Sequence, residues 1–186
     1  MGKVAASIDA HIEKLIQSQP MFFVATAPLA ARGHVNVSPK GMDTFRILNP
    51  ATVAYLDLTG SGIETIAHLR ENGRIVIMFC AFQGPPSIVR LHGRGRVVEP
   101  ADADFAGLRV HFPVFESMRA IIVVELSRVS ESCGFGVPLM RHEGERSQLR
   151  AWARSKGPEG LRVYRQQKNG QSVDGLAGLD GQAQSE

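Results

Sequence analysis

One short stretch limits the folds open to this chain more than any other. Val53 to Leu58 alternates and is rich in β-branched, aromatic and aliphatic residues, the pattern of a strand. Thr59-Gly60-Ser61-Gly62 then turns the chain, and Ile63, Ile66 and Ala67 share one face at helical spacing. Ser61, with Glu64 three residues on, reads as a capping box, and Asn72-Gly73 as a left-handed stop. A helix that opens on Gly-Ser-Gly directly after a strand points free N–H groups, and the positive end of its dipole, above the turn. Such an end either seats an anion, a phosphate above all, or merely lets Ser61 cap a helix.

The flanking sequence is strand-rich. Ile8, His11, Ile12, Leu15 and Ile16 predict a short helix over Ser7–Ser18, with Ser7 as its cap, ending before Pro20. Met21–Ala27 reads as a buried strand and His34–Lys40 as its hairpin partner, broken by Pro39-Lys40-Gly41. Arg74–Phe82 is nearly all apolar, as in a strand covered on both faces. Ser87–Glu99 is a long strand whose Gly93 and Gly95 suit a bend or a close backbone approach. Its Arg90, His92, Arg94 and Arg96 fall on one alternate face, which must meet water, an anion or another subunit. Pro100–Val110 reads as helical, His111–Met118 as a loop and Ala120–Ser132 as the last long strand. Six strands, mostly hairpin-linked with one helix between the third and fourth, predict a mainly β (α+β) fold: an antiparallel barrel, closed or split.

After Cys133-Gly134-Phe135-Gly136-Val137-Pro138 the texture changes to two basic helices, about Glu145–Lys156 and Pro158–Lys168. From Arg141 to Lys168 eight Arg and Lys face three Glu, so positive charge collects here although the whole chain carries only +3. Trp152 and Tyr164 alone interleave those charges, too few for a nucleic-acid surface; a solvated face or a small anionic ligand suits them better. The glycine-rich tail from Asn169 carries spaced apolar residues and is expected to lie across the body, its last few residues disordered. This divides the chain into a barrel domain, 1–138, and a basic helical extension with its tail, 139–186.

No apolar run approaches the ~18 residues of a membrane span, and the mixed-charge N-terminus has no apolar signal core. Cys80 and Cys133 lack metal-like spacing and read as buried free thiols in a reducing compartment, so a cytoplasmic location is expected. No metal is expected, since no His, Cys or Asp recurs at ligand intervals. The histidines are scattered, no Ser-His-Asp or Cys-His arrangement is evident, and no catalytic residue is assigned.

The order of Val35-Asn-Val-Ser-Pro-Lys-Gly41, Tyr55-Leu-Asp-Leu-Thr-Gly-Ser-Gly-Ile-Glu-Thr-Ile-Ala-His-Leu69, Ile77-Met-Phe-Cys-Ala-Phe82 and Val89-Arg-Leu-His-Gly-Arg-Gly95 resembles the pyridoxamine 5′-phosphate oxidase-like family of FMN-binding split barrels. Together with Ser132-Cys-Gly-Phe-Gly-Val-Pro138 and Asn169-Gly-Gln-Ser-Val-Asp-Gly-Leu176, these stretches are similar to an uncharacterised branch of it. The resemblance covers roughly Met21–Ser132 and implies a six-stranded antiparallel split β-barrel with flanking helices. It implies a homodimer with FMN in grooves at the interface. Carried over by position, Lys40 closes the second strand beside the phosphate, and Tyr55, Leu56 and Asp57 lie along the flavin. Ser61, Gly62 and Thr65 fall at the phosphate end, while Arg90 and His92 lie on the strand that reaches the cofactor, including from the second subunit.

The departures shape the functional expectation. The oxidases themselves place an Arg-Lys pair where Gly62-Ile63 stand here, so Lys40, Arg74, Arg90 or Arg94 would have to supply the missing charge. The family's substrate-phosphate residues find no match, which turns the reading away from vitamin B6 oxidation. An FMN-dependent oxidoreductase is expected, moving hydride or electrons between a small organic substrate and NAD(P)H or oxygen. The alternatives are a non-catalytic flavin- or haem-binding carrier or sensor, and a reductase using the deazaflavin F420.

Overall fold

The computed structural model describes residues 3–179. In chain order it contains β1 (Lys3–Ala5), α1 (Ala10–Gln17), β2 (Phe22–Thr26), β3 (Asn36–Lys40), β4 (Phe45–Asn49) and β5 (Thr52–Leu58). There follow α2 (Glu64–Asn72), β6 (Arg74–Cys80), β7 (Ile88–Val98), α3 (Phe105–Arg109), β8 (Met118–Ser132) and α4 (Gln148–Lys168). The strands form one antiparallel sheet in the order β3-β2-β6-β7-β8-β5-β4, and β1 pairs with β8.

The hydrogen-bonded path is open, yet its β4 end folds back onto β2 and β6. Phe45 on the β4 edge packs against Phe22 of β2 and Phe79 of β6, with ring centroids 5.2 and 5.0 Å apart. The sheet therefore curls until β4 faces β2 across a seam closed by rings and left open by the backbone. Inside the curl, Val24, Val53, Tyr55, Ile77, Val89, Leu91 and Ile122 form the main core, plugged by Ile12 and Ile16 of α1 and Ile66 and Leu69 of α2. On the other face of the sheet, Leu56, Val98, Ile121 and Val123 make a second core with Phe112 and Phe115. Each core follows one parity of its strands, as alternation requires.

Gly93 and Gly95 permit close approaches within the curl. A Cβ on Gly93 would lie 2.2 Å from the Glu125 carbonyl oxygen, and one on Gly95 2.8 Å from Leu69. The register shifts beside Gly93, between His92 and Gly93, as a bulge in a bent strand does.

The sheet has eight strands among the described residues rather than the six expected. The two additions are β1, short and exposed along its whole length, and β4, whose first four residues are half-buried and so show no two-residue period. Helix boundaries also shift. Asp9, not Ser7, caps α1, its carboxylate accepting from Ile12 N at 2.8 Å, and α3 is confined to Phe105–Arg109. The two expected basic helices are the arms of α4, broken at Gly157 (φ 64°) before Pro158, and the first begins at Gln148.

The capping box at Ser61 does not form. Helix α2 starts at Glu64 behind Ile63, which gives no side-chain cap, and Ser61 and Gly62 are left exposed in the turn. Gly73 does end α2 in the left-handed region (φ 69°). The expected disorder of the last few residues falls mostly outside the described ones.

Candidate functional site

Asp57 is the buried centre of the polar architecture. It alternates with Leu56, so its carboxylate faces the main-core side at the end of β5, and it is fully buried. Lys40 Nζ, from the end of β3, donates to Asp57 Oδ1 at 3.2 Å, and Arg119 Nε, from the start of β8, to Oδ2 at 2.7 Å. Burial alone would raise the Asp57 carboxyl; the Arg119 and Lys40 charges outweigh it and hold the group below the usual carboxylate value. The same burial, with the Asp57 charge beside it, pushes the Tyr55 phenol up. Tyr55 lies wholly inside the main core, where its hydroxyl has no partner among the described residues.

The C-terminal extension completes this cluster. Arg119 Nη1 also donates to Asn169 Oδ1 at 3.0 Å and to the Gly60 carbonyl at 3.3 Å. Asn169, fully buried, donates from Nδ2 to that same Gly60 carbonyl at 2.9 Å. Arg165 Nε donates to Thr59 Oγ1 at 2.9 Å and Nη2 to the Met118 carbonyl at 2.9 Å. Burial, then the like charge of Arg119, lowers the Arg165 guanidinium below its ordinary value. Two cationic side chains therefore hold the Asp57 carboxylate, and a third, Arg165, stands beside them at the Thr59–Gly62 turn. Unbalanced positive charge at low exposure is costly, and an anion is the chemical species that would relieve it.

Beside Lys40 a groove of about 650 Å³ opens between the end of β3 and residues 142–149. Pro39, Met42 and Leu149 give it apolar walls, and His142 and Arg146 polar ones. That volume lies in the range of ~300–1,000 Å³ typical of small-ligand pockets.

The residues singled out from sequence divide among four places. Lys40 and Asp57 meet in the cluster, and Ser61 and Gly62 stand in the exposed turn at its edge. Thr65 belongs to a neighbouring polar strip: Asn36 Nδ2 donates to its hydroxyl at 3.0 Å, and Thr26 Oγ1 lies 2.9 Å from Nδ1 of the buried His68. Tyr55 and Leu56 are packed in opposite cores. Arg90 and His92 alternate with Val89 and Leu91 of the main core and so lie on the far face of the sheet from Asp57. There Arg90 Nη1 donates to Ser132 Oγ at 3.1 Å, and burial, with the Arg128 and Arg90 charges, keeps the His92 imidazole below its ordinary value. The neighbouring arginines are spent separately, Arg94 on the Asn72 carbonyl and Arg96 on Asp104.

Arg119 and Arg165 are the cluster members that sequence reading missed. The usable signal was Arg119, a lone charge abutting the apolar run Ala120–Val124 at the mouth of a central strand. Arg165 gave none, since it is one of eight basic residues in its stretch.

The helix N-terminus itself is partly claimed. Glu64, in the first turn of α2, supplies the negative charge that the dipole favours, and its carboxylate accepts from Val173 N at 3.3 Å. The tail arrives there as a strap: Asp174 takes the backbone N–H and ring of His34, both at 2.7 Å, and Arg70 donates to the Gly178 carbonyl. Among the described residues no helix is long and apolar enough to cross a membrane. Both cysteines are free thiols; Cys80 is buried as expected, whereas Cys133, just past the end of β8, is exposed.

Comparison with known proteins bears on what such a cluster serves. The family model for pyridoxamine 5′-phosphate oxidase matches residues 8–133. An Aspergillus flavus protein, pyridoxamine 5′-phosphate oxidase family protein ustO, is 44% identical over 93% of this chain and 76% of its own length. Among solved structures, the H111A variant of HupZ from Group A Streptococcus matches with a TM-score of 0.52 at 22% identity, covering 67% of this chain and 99% of that one. A candidate pyridoxamine 5′-phosphate oxidase from Lactobacillus delbrueckii matches with a TM-score of 0.50 at 18% identity, over 67% and 94% of the two chains. The structural likenesses speak to the fold.

Proposed function

The chain belongs to the pyridoxamine 5′-phosphate oxidase family, and from that premise we propose that it is a flavoprotein that binds FMN and works as an oxidoreductase on a small organic substrate. The observation that carries the reading is the surplus of positive charge beside the Thr59–Gly62 turn: Lys40 and Arg119 on a single buried carboxylate, Asp57, with Arg165 next to them on Thr59. A phosphate monoester, carrying close to two negative charges at neutral pH, matches that surplus. The donor set fits it chemically: an ammonium and two guanidinium groups, with the exposed Ser61 and Gly62 at the margin.

In this reading Lys40 and Arg119 hold the phosphate, and Asp57 holds both cations in position for it. Asn169 fixes the turn by gripping the Gly60 carbonyl from the extension. The bound flavin would supply hydride or electron transfer; the protein supplies position and charge. In this reading the side chains of Tyr55 and Leu56 shape the strand from within the two cores. Arg90 and His92, on the far sheet face, would meet a cofactor only at the surface of a second copy. Exposed Val37 on edge strand β3 and exposed Val35 just before it favour such a homodimer. NAD(P)H or oxygen is the proposed redox partner, with no membrane or nucleic-acid partner and a cytoplasmic location. The barrel domain and the extension form one working unit, with Arg165 and Asn169 of the extension closing the site.

The test is spectroscopic. Purified protein is expected to be yellow, or to quench flavin fluorescence on titration with FMN, and to be reduced anaerobically by NADH or NADPH. Lys40→Ala is expected to weaken FMN binding more than about tenfold, the scale of a lost charge-assisted contact. Colourless protein that gains no FMN on titration defeats the proposal; unchanged affinity in Lys40→Ala removes Lys40 from the site.

A further inference from the structure

The seam where β4 faces β2 holds a second cavity, separate from the Lys40 groove but adjoining it through Pro20 and Gly41, which line both. Its volume is about 330 Å³. Ile16, Phe22, Phe45, Ile47 and Phe79 form an apolar floor. The three rings lie 5.0 to 5.6 Å apart, two of the pairs edge-on, leaving faces and edges for a further ring. A seam between unpaired strands can be filled by larger side chains; here it stays open over aromatic carbon.

The turn between this cavity and the Lys40 groove, with Asp43 lining the one and Met42 the other, is held in a costly conformation. Met42 and Asp43, consecutive and neither of them glycine, have φ of 63° and 58°. The turn is locked from both sides: Thr44 Oγ1 donates to the Gly41 carbonyl at 2.7 Å, and Arg46 forks onto both Asp43 carboxylate oxygens at 2.7 and 3.0 Å. Left-handed residues of this kind persist where the surroundings over-determine them, and they concentrate at ligand sites.

The rim sets the sign of the ligand's charge. Arg46 is spent on Asp43 and on the His111 carbonyl, at 2.7 Å, and its guanidinium also lies 5.4 Å from the Phe112 ring centroid. Glu13, across the mouth, accepts only from Gln17 among the described residues. Two carboxylates against one engaged guanidinium leave the mouth negative, the opposite of the cluster beyond Gly41.

We propose that this seam cavity is a second ligand site, for a small aromatic amine: a single ring against Phe22, Phe45 and Phe79, with its ammonium group at Glu13. The proposal stands apart from the flavin reading, since it uses none of the cluster's residues and needs no bound cofactor.

The experiment is a binding titration of the purified full chain, by calorimetry or ligand-observed NMR, with phenethylamine and with phenylacetate as its opposite-charge counterpart. Expected are saturable binding of phenethylamine and at least tenfold weaker binding of phenylacetate. Ile47→Phe, which fills the floor, and Gln17→Trp, which covers the mouth from an exposed helix position, are each expected to weaken the amine at least tenfold. Glu13→Gln is expected to narrow the preference for amine over acid. Should Ile47→Phe fail to fold, Gln17→Trp decides the matter. Absence of saturable binding, equal affinity for the two probes, or wild-type affinity in a folded Gln17→Trp protein overturns the proposal.

Discussion

The curled sheet and the C-terminal extension are held by different physics. The sheet is a continuous ladder around cores in which Val24, Val53, Ile77, Leu91 and Ile122 are fully buried. Along α4, by contrast, Ala153 and Leu161 alone are buried, and the helix is fixed by polar and ring contacts: Arg150 over the Phe115 ring at 4.1 Å, Arg154 to Glu116, and Arg165 to Thr59 and Met118. Apolar burial is non-directional and gives a stable body, whereas side-chain donors on named carbonyls fix position. The charge cluster lies where the two regimes join, with Lys40, Asp57 and Arg119 from the sheet and Arg165 and Asn169 from the extension.

Breaking the joint itself should have the largest effect. Asp57→Asn leaves buried cations without their carboxylate, and removal of one partner of a buried ion pair costs about 3–5 kcal/mol. Urea unfolding should show this, with sheet and extension melting together if the cluster joins them. The acid limb gives a second readout. A carboxyl depressed in the native state contributes stability that is present above its unfolded value, about pH 4, and lost as pH falls through its lower native value. The wild-type chain should lose this contribution below about pH 4, and the Asp57→Asn chain, having none to lose, should fall less steeply there.

Two glycines compare the regions directly. A Cβ on Gly93 in the sheet would sit 2.2 Å from the Glu125 carbonyl, and one on Gly178 in the strap 2.2 Å from the Asn169 carbonyl. The clash is the same and the surroundings differ. Gly93→Ala pushes apart the most extensively paired strands and should cost about 1–3 kcal/mol, the range for overpacking a core. Gly178→Ala can be relieved by a shift of the strap and should cost less than half as much in global unfolding, while speeding hydrogen exchange around residues 169–179. Equal losses would show that the strap is as rigid as the sheet.

Sequence pattern revealed the sheet far better than the joint, and the reason is physical. Burial on alternate residues writes itself into composition, so β2, β5, β6, β7 and β8 were all visible. The fourth strand escaped because its residues at the seam are half-buried on both faces. The cluster escaped further: a guanidinium reaching the Gly60 or Met118 carbonyl contacts backbone, which every residue has, and leaves no trace of spacing. Lys40 was found through its place at a strand end. Ser61 was expected to cap α2, but the turn runs longer, and Asn169, 108 residues away, reaches that backbone instead, at 3.5 Å from the Ser61 carbonyl.

Asn169→Ala tests whether the extension belongs to the site or only rests on it. The substitution removes the bridge between Arg119 and Gly60 and should cost about 1–2 kcal/mol, the scale of a buried hydrogen-bonding group whose partners are left unpaired. In the flavin reading it also frees the Thr59–Gly62 turn, so FMN affinity should fall while the chain remains folded at room temperature. A stability loss with unchanged affinity would reduce the extension to a brace.

The smallest effect should come from Glu64, and it separates two ways in which a helix end can be satisfied. If the α2 dipole is already served by the chain's own carboxylate, Glu64→Gln should cost only about 0.3–1 kcal/mol, an amount that salt screens. The same change removes a negative charge beside Ser61 and Gly62, so any phosphate held at the cluster should bind slightly more tightly. Were the anion instead seated on the α2 amides themselves, Glu64 would have to swing aside on binding. Glu64→Gln would then raise FMN affinity by much more than it lowers stability. The ratio of those two changes, measured on one variant, assigns the phosphate to the side-chain cations or to the helix end; the geometry about Asp57 predicts the cations.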